Sequence, residues 1–286
     1  LEDVGHELLG RGKKIDHGGD ALAEIQRLFA EDKPALAAYN LEDCRLVCDI
    51  VEAADLVGFA VERQALTGLP MDRQGGSVAA FDNLYLPRLH RKGYVAPDVE
   101  DLSDLVRSPG GYVMDSKPGL YDNVLVLDFK SLYPSIIRTF AIDPLGLAAP
   151  GDDPIPGFEG GSFAREGHIL PELITNLWSA RDEAKQRKDA ARSRAIKILM
   201  NSFYGVLGSA GCRFFSPKLA SSITLRGHQI IQDSRDFIEA RDLEVIYGDT
   251  DSVFVHVGAG DEKACAKVGR ELQDALNAYW TERLRR

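Results

Sequence analysis

The stretch EVIYGDTDSVFVHV, residues 244–257, decides how the rest of the chain is read. Glu244–Tyr247 and Ser252–Val257 are runs of strand length rich in β-branched and aromatic residues, and Gly248-Asp249-Thr250-Asp251 between them is a tight acidic turn, so the segment reads as a β-hairpin. Period-two geometry puts Asp249 and Asp251 on one side, with Thr250 opposite. A second apolar run, Val124–Asp128 (VLVLD), has strand length and reads as a central strand that ends on another acid. If the hairpin lies beside it, three carboxylates meet at one sheet edge, where they repel and raise one another's pKa. Divalent cations relieve that repulsion. Oxygen ligands without His or Cys suit Mg²⁺, which keeps waters and takes phosphate oxygens as remaining ligands. Each piece also has an ordinary reading: Asp128 as a helix N-cap, and residues 249–252 as a plain hairpin turn. An EF-hand is excluded, because its sixth position would be Phe254 and its twelfth Gly260.

Working outward, Pro34–Gln64 reads as one helix, with Leu36, Tyr39, Asp43, Leu46, Ile50 and Val51 at helical spacing. Gly68-Leu69-Pro70 and Gly75-Gly76 break the chain before a second helix over Ser77–Arg91. Asp98–Pro109 is a polar linker, Tyr112–Met114 a short strand candidate and Ala141–Arg165 a long loop rich in Pro and Gly. Leu170–Lys188 and Ser193–Tyr204 read as helices, and the absence of Gly and Pro between them leaves one continuous helix open. Further helices are expected at Ser221–Ala240 and Glu262–Leu284. Helices and strands mix without strict alternation, which favours an α+β fold.

The 286 residues suffice for one large domain or two ordinary ones, and 44% hydrophobic with 27% charged residues excludes a disordered chain. No apolar run nears the roughly 18 residues that span a bilayer, Leu1–Gly10 carries acids where a signal peptide would be apolar, and four Cys make no disulfide framework. A cytoplasmic location without membrane association is expected. Net charge is -10, yet Trp178–His228 holds ten Lys or Arg and three acids, a local excess of seven. Such a face can focus a phosphate-bearing ligand, or can be an ordinary solvated helix surface. Arg194, Lys197, Asn201 and Tyr204 share one helical face, while Arg181 and Lys185 are four apart on the preceding helix, with Lys188 beyond them. As an antiparallel hairpin the two helices would turn these cations toward one polyphosphate. Tyr39 and Asp43 are also four apart, a pair able to orient water or hold a metal. Cys44 and Cys48, without further Cys or His nearby, read as core or inert.

Together these segments resemble the family B DNA polymerases. Asp128-Phe-Lys-Ser131-Leu132-Tyr133-Pro134-Ser135-Ile136 is similar to the family's motif A, Lys197-x-x-x-Asn201-Ser202-x-Tyr204-Gly205 to motif B, and Tyr247-Gly248-Asp249-Thr250-Asp251-Ser252 to motif C, in the family's order. Tyr39-x-x-x-Asp43 looks like the third motif of its 3′→5′ proofreading exonuclease, and longer stretches look like the family's bacterial branch. The resemblance implies an antiparallel palm sheet flanked by helices, a helical-hairpin fingers subdomain and a helical exonuclease remnant. It implies boundaries of 1–66 for the exonuclease end, 67–168 for the first part of the palm, 169–207 for the fingers and 208–286 for the second part of the palm, without a thumb. It also implies template-dependent addition of dNTPs to a primer 3′-hydroxyl by two-metal phosphoryl transfer. Asp128, Asp251 and Asp249 would hold two Mg²⁺. Ser131, Leu132, Tyr133, Arg181, Lys185, Lys197 and Asn201 would contact the dNTP, with Tyr133 as the sugar gate, and Tyr204 and Gly205 would meet the templating base pair. The implied partners are primer–template DNA, dNTPs and a sliding clamp, in a nucleoid-associated repair and replication setting. The alternative is a non-catalytic nucleic-acid-binding relative, which would be expected to lose one of the three acids. The family's Tyr-x-Gly-Gly element is met by Arg107-Ser108-Pro109-Gly110-Gly111, which lacks the tyrosine. The first two exonuclease motifs are missing, the chain starts on Leu, and it stops soon after motif C. A fragment of a longer protein is therefore expected, one that polymerises poorly by itself.

Overall fold

The computed structural model describes residues 1–13, 21–73, 76–99, 108–258 and 260–285. Gly75 and residues 100–107, including most of the expected linker and Arg107, lie outside the described residues. The chain divides into one compact unit of Leu1–Gln74 with Ala184–Ala195, and another of Gly75–Glu183 with Ile196–Arg286.

The first unit contains α1 (Glu2–Leu9), α2 (Ala21–Glu31), α3 (Lys33–Ala53) and α4 (Leu56–Thr67), with α1, α2 and α4 each packed on α3. The single helix expected over 34–64 is thus two. Asp55 takes a left-handed φ of 48° and its carboxylate accepts from Gly58 N at 3.2 Å, so it ends one helix and caps the next. Asp32 caps α3 through Ala35 N at 3.0 Å, with Pro34 in the first turn. Cys44 and Cys48 are exposed rather than core, while Leu46 and Ile50 are the buried side chains of this helix. Arg11 bridges Glu42 and Asp49 on its surface.

The end of α8 (Leu170–Gln186) and the start of α9 (Ala190–Leu207) belong to this unit. They are separate helices. Lys188 has a left-handed φ of 59°, and the Asp189 carboxylate accepts from Arg192 N at 2.9 Å, an N-cap that helix propensity could not reveal. Lys188 therefore does not continue the face of Arg181 and Lys185. Arg192 pairs with Glu62 at 2.9 Å, and Arg194 donates to Ala54 O at 2.7 Å, satisfying a carbonyl at the C-terminal end of α3.

The second unit is built on an antiparallel sheet of β1 (Val124–Asp128), β5 (Ser252–His256) and β4 (Glu244–Asp249), in that order. The hairpin and the VLVLD strand fall where the sequence places them, but β1 is an edge strand and β5 is central. That explains the alternation in β1: Val124, Val126 and Asp128 are exposed, whereas Leu125 and Leu127 pack on a core of Ile231, Ile238, Val245, Val253, Val255 and Leu272. Two long helices, α10 (Pro217–Glu239) and α11 (Glu262–Arg283), supply the helical side of this core. α10 starts four residues earlier than its periodicity suggests, since Pro217 fits a first helical turn. Among the described residues, 112–114 make one isolated bridge rather than a strand, Val113 with Asp249. The 141–165 stretch is not all loop: it holds α7 (Pro144–Ala148) and a ribbon of β2 (Ile155–Pro156) with β3 (Ser162–Phe163).

A second core gathers α5 (Ser77–Arg91), whose Phe81 stacks on Tyr85 at 5.2 Å and meets Phe203 edge-on at 5.5 Å. Beside it Asp143 is wholly buried and accepts from Leu170 N at 2.7 Å, Gly146 N at 3.0 Å, Tyr85 Oη at 3.1 Å and Ile169 N at 3.2 Å. Those donors satisfy the cost of burying a carboxylate and fix where α7 and α8 begin. Asp143→Ala strands all four, and is expected to cost about 3–5 kcal/mol of unfolding free energy in urea titrations; a loss below about 1 kcal/mol would show that the network carries little.

Candidate active site

The sheet register assembles the acids. Asp128 ends β1 opposite Ser252, and Asp249 ends β4 opposite the same Ser252. In-register residues point to one face, so Asp128, Ser252 and Asp249 form a row at one end of the sheet, on the face away from the apolar core. Thr250 and Asp251 are the two-residue loop of the hairpin, and Thr250 has a positive φ of 50°. The alternation expected for Asp249 and Asp251 therefore does not apply, because Asp251 is oriented by the turn. Asp251 O accepts from Phe129 N at 2.7 Å, which ties the loop to the residue after Asp128. Burial, followed by the negative charges of Asp128 and Asp249, pushes the Asp251 carboxyl above its ordinary range.

Among the described residues, no three His, Cys, Asp or Glu are drawn together as a metal cluster, and none of the three acids makes an ion pair. The Asp249 carboxylate accepts from Thr250 Oγ1 at 2.8 Å. Oxygen donors that lack a counter-cation and repel one another fit Mg²⁺, which takes one or two carboxylates and leaves its other positions to water and phosphate.

The next turn positions a tyrosine. Ser131, at a positive φ of 51°, precedes α6 (Leu132–Thr139), whose N-terminus no side chain caps. Leu132 is buried, and the half-buried Tyr133 ring lies 4.6 Å from Tyr204 of α9. Burial, Tyr204 and the charges of Asp251 and Asp249 push the Tyr133 phenol up to about 12. Motifs A, B and C thus meet at Tyr133. α10 makes room for it: a Cβ at Gly227 would sit 3.4 Å from Tyr133 Cε1. An isolated glycine inside a helical pattern was the available signal.

Arg181, on α8 in this unit, is half-buried, and among the described residues its Nε has no hydrogen-bond partner. Lys197, Asn201 and Gly205 are exposed on α9. Lys185 is exposed in the first unit. In that unit Tyr39 and Asp43 share Lys13, whose ammonium is 3.5 Å from Asp43 Oδ2, and among the described residues the buried Asp43 Oδ1 has no partner. Burial pulls the Lys13 amine down, but Asp43 and Tyr39 hold it above its ordinary value.

The acidic turn is also held by a clamp that residue types do not disclose. Tyr112 O accepts from Thr250 N at 2.8 Å, Met114 N donates to Gly248 O at 2.9 Å, and Gly110 O lies 2.8 Å from His228 Nε2. At Gly111 there is no room for a side chain, since a Cβ would lie 2.9 Å from Thr250 Cγ2 and closer still to its hydroxyl.

The sequence profile of DNA polymerase family B matches residues 73–152 and 162–285, and the chain belongs to that family. It is 57% identical over 292 residues to DNA polymerase II of Escherichia coli (strain K12), covering 100% of this chain and 37% of that protein. A DNA polymerase of Thermococcus gorgonarius is 30% identical over 270 residues, with 85% of this chain and 34% of that protein covered. The solved structure of the family B DNA polymerase of the hyperthermophilic archaeon Pyrobaculum calidifontis superposes with a TM-score of 0.63 at 28% identity, over 84% of this chain and 34% of that one. The chain spans about a third of the length of these relatives. No helix among the described residues is long and apolar enough to cross a membrane.

Proposed function

We propose that this chain is the catalytic centre of a template-directed DNA polymerase, which adds deoxynucleotides to a primer 3′ end. The observation that carries the reading is the Asp128–Ser252–Asp249 row with Asp251 beside it. When bound, two Mg²⁺ would lower the pKa of the primer hydroxyl and stabilise the leaving pyrophosphate. The residues do the rest. Asp128 and Asp251 hold the cations, with Asp249 next to them. Arg181, Lys197 and Asn201 contact the triphosphate, the buried and unpartnered Nε of Arg181 being a donor that a phosphate oxygen satisfies. The N–H groups of the uncapped α6 start, at Leu132 and Tyr133, also donate to phosphate. In this reading, residues 67–168 and 208–286 are palm and 169–207 fingers. Residues 1–66 end an exonuclease, in which Tyr39 and the free oxygen of Asp43 serve 3′→5′ cleavage.

Tyr133 sets the sugar. Its ring is packed against Tyr204 and backed by α10 at Gly227, so it cannot yield to a 2′-hydroxyl. Primer extension by the intact protein, with Mg²⁺ and either dNTPs or rNTPs, tests the reading. The native protein is expected to extend with dNTPs only, and Tyr133→Ala to raise rNTP use about a hundred-fold relative to dNTP, a discrimination of about 3 kcal/mol. No extension by the intact protein would sink the function, and unchanged sugar selectivity in Tyr133→Ala would sink the gate.

A further inference from the structure

We infer that the groove between α6 and the start of α8 is an exit site for inorganic pyrophosphate, reached from the acidic row through Lys130 and Arg138, both of which stand against the Trp178 indole. The inference rests on the polymerase reading, because it concerns that reaction's second product.

The groove has a volume of about 610 Å³ and is walled by Ser135, Arg138 and Thr139 of α6 and by His168, Glu172 and Asn176. Its wall is polar and carries a buried group, Nδ1 of His168, that no described residue satisfies with a hydrogen bond. Trp178 lies two turns of α8 beyond Pro171, which also lines the groove. The Lys130 ammonium stands 5.2 Å from the Trp178 ring centre and the Arg138 guanidinium 5.0 Å from it. Arg138 Nε donates to Thr175 Oγ1 at 3.1 Å, and both residues line the groove. Among the described residues no carboxylate pairs with Lys130 or Arg138. Two cations placed together on one aromatic ring repel each other, and an anion between them relieves that repulsion.

The position relates these cations to the chemistry. Lys130 follows Asp128 by two residues in the turn into α6, and its carbonyl accepts from Ser135 Oγ at 3.1 Å, which joins that turn to the groove wall. Arg181, with its own unpartnered Nε, lies three residues after Trp178 on the same helical side. Lys130 and Arg138 therefore share the Trp178 ring, Arg181 follows that ring by one turn of α8, and Arg138 also lines the groove. Pyrophosphate carries about three negative charges at neutral pH, and cations grouped in this way draw it out. Glu172 is the opposing element: its carboxylate on the same wall repels the product and keeps the groove from holding it.

The test is inhibition of primer extension by added inorganic pyrophosphate, in the intact protein. Arg138→Ala is expected to raise the pyrophosphate inhibition constant about three- to five-fold relative to the dNTP KM, and Arg138→Lys to restore part of it. Glu172→Gln is expected to move the constant the other way by a similar factor. A folding defect does not produce opposite shifts in the two variants. Inhibition constants within two-fold of the native value in both would overturn the exit site while leaving the polymerase reading in place. Absence of extension by the native protein would overturn both.

Discussion

Asp251→Asn in the intact protein is expected to lower the rate of single-nucleotide addition by about three orders of magnitude while leaving 3′→5′ cleavage in place. The substitution keeps size and shape and removes one negative charge beside the Asp128–Ser252–Asp249 row. Asp251 is the group on which burial and the charges of Asp128 and Asp249 converge, and its carboxyl is raised for that reason. A carboxylate so placed is poised for a cation, and an amide oxygen binds Mg²⁺ far more weakly. The fold should not suffer. A carboxyl raised in the folded state makes that state bind more protons than the unfolded chain, so its contribution to stability, in the absence of cations, falls as pH rises through the carboxylate range. Asp251→Asn removes this slope, and the metal-free variant should be at least as stable at neutral pH as the native protein. Loss of extension with an unchanged or raised melting temperature is therefore the expected pair of results. Extension within ten-fold of native would end the assignment of Asp251, and a lowered melting temperature would show that the acid has a structural role instead.

What the sequence discloses and what it hides divide along physical lines. Motifs A and C were legible because strand runs such as VLVLD and SVFVH announce themselves by composition, and the register follows once both strands are adjacent. The edge position of β1 was not legible. An alternating strand with one wet face and a buried strand with small exposed gaps look alike over five residues, and the exposure of Val126 emerges only when the neighbours are known. Helix breaks were missed for another reason. Asp55 and Asp189 each stop one helix and cap the next, and a single Asp within a periodic pattern has no propensity signature strong enough to show it. Tyr133 and Tyr204 were identified separately, yet their contact spans 71 positions of the sequence numbering and no spacing rule reaches so far. The least legible part is the clamp at residues 110–114. It holds the acidic turn mainly through main-chain atoms, and main-chain hydrogen bonds leave almost no trace in residue type beyond the glycines that let them approach.

That clamp carries the second large effect. Gly111→Ala is expected to cut nucleotide addition by about a hundred-fold, although Gly111 bears no functional group and touches no acid. Its backbone needs no special φ, so alanine is conformationally allowed there, and the cost is steric alone. The added methyl would overlap the Thr250 hydroxyl and lie 2.9 Å from Thr250 Cγ2 and 3.1 Å from its Cβ. Thr250 cannot step aside freely: its N–H is bound to Tyr112 O at 2.8 Å and its hydroxyl to Asp249 at 2.8 Å. The loop must shift instead, carrying Asp251 with it, and displacements of about 1 Å in a reacting centre cost about two orders of magnitude. Thr250→Gly supplies the control. It removes the atoms that collide, and it relieves a β-branched residue held at positive φ, a conformation glycine accepts without strain. Alone it loses the hydroxyl bond to Asp249 and should slow addition only a few-fold. Combined with Gly111→Ala it should recover at least ten-fold of the lost rate, a coupling of at least about 1.4 kcal/mol between two residues that make no catalytic contact with each other. Additive losses in the double variant would mean that Gly111 acts on something other than the turn, since removing Thr250's side chain leaves the added methyl nothing on that residue to strike.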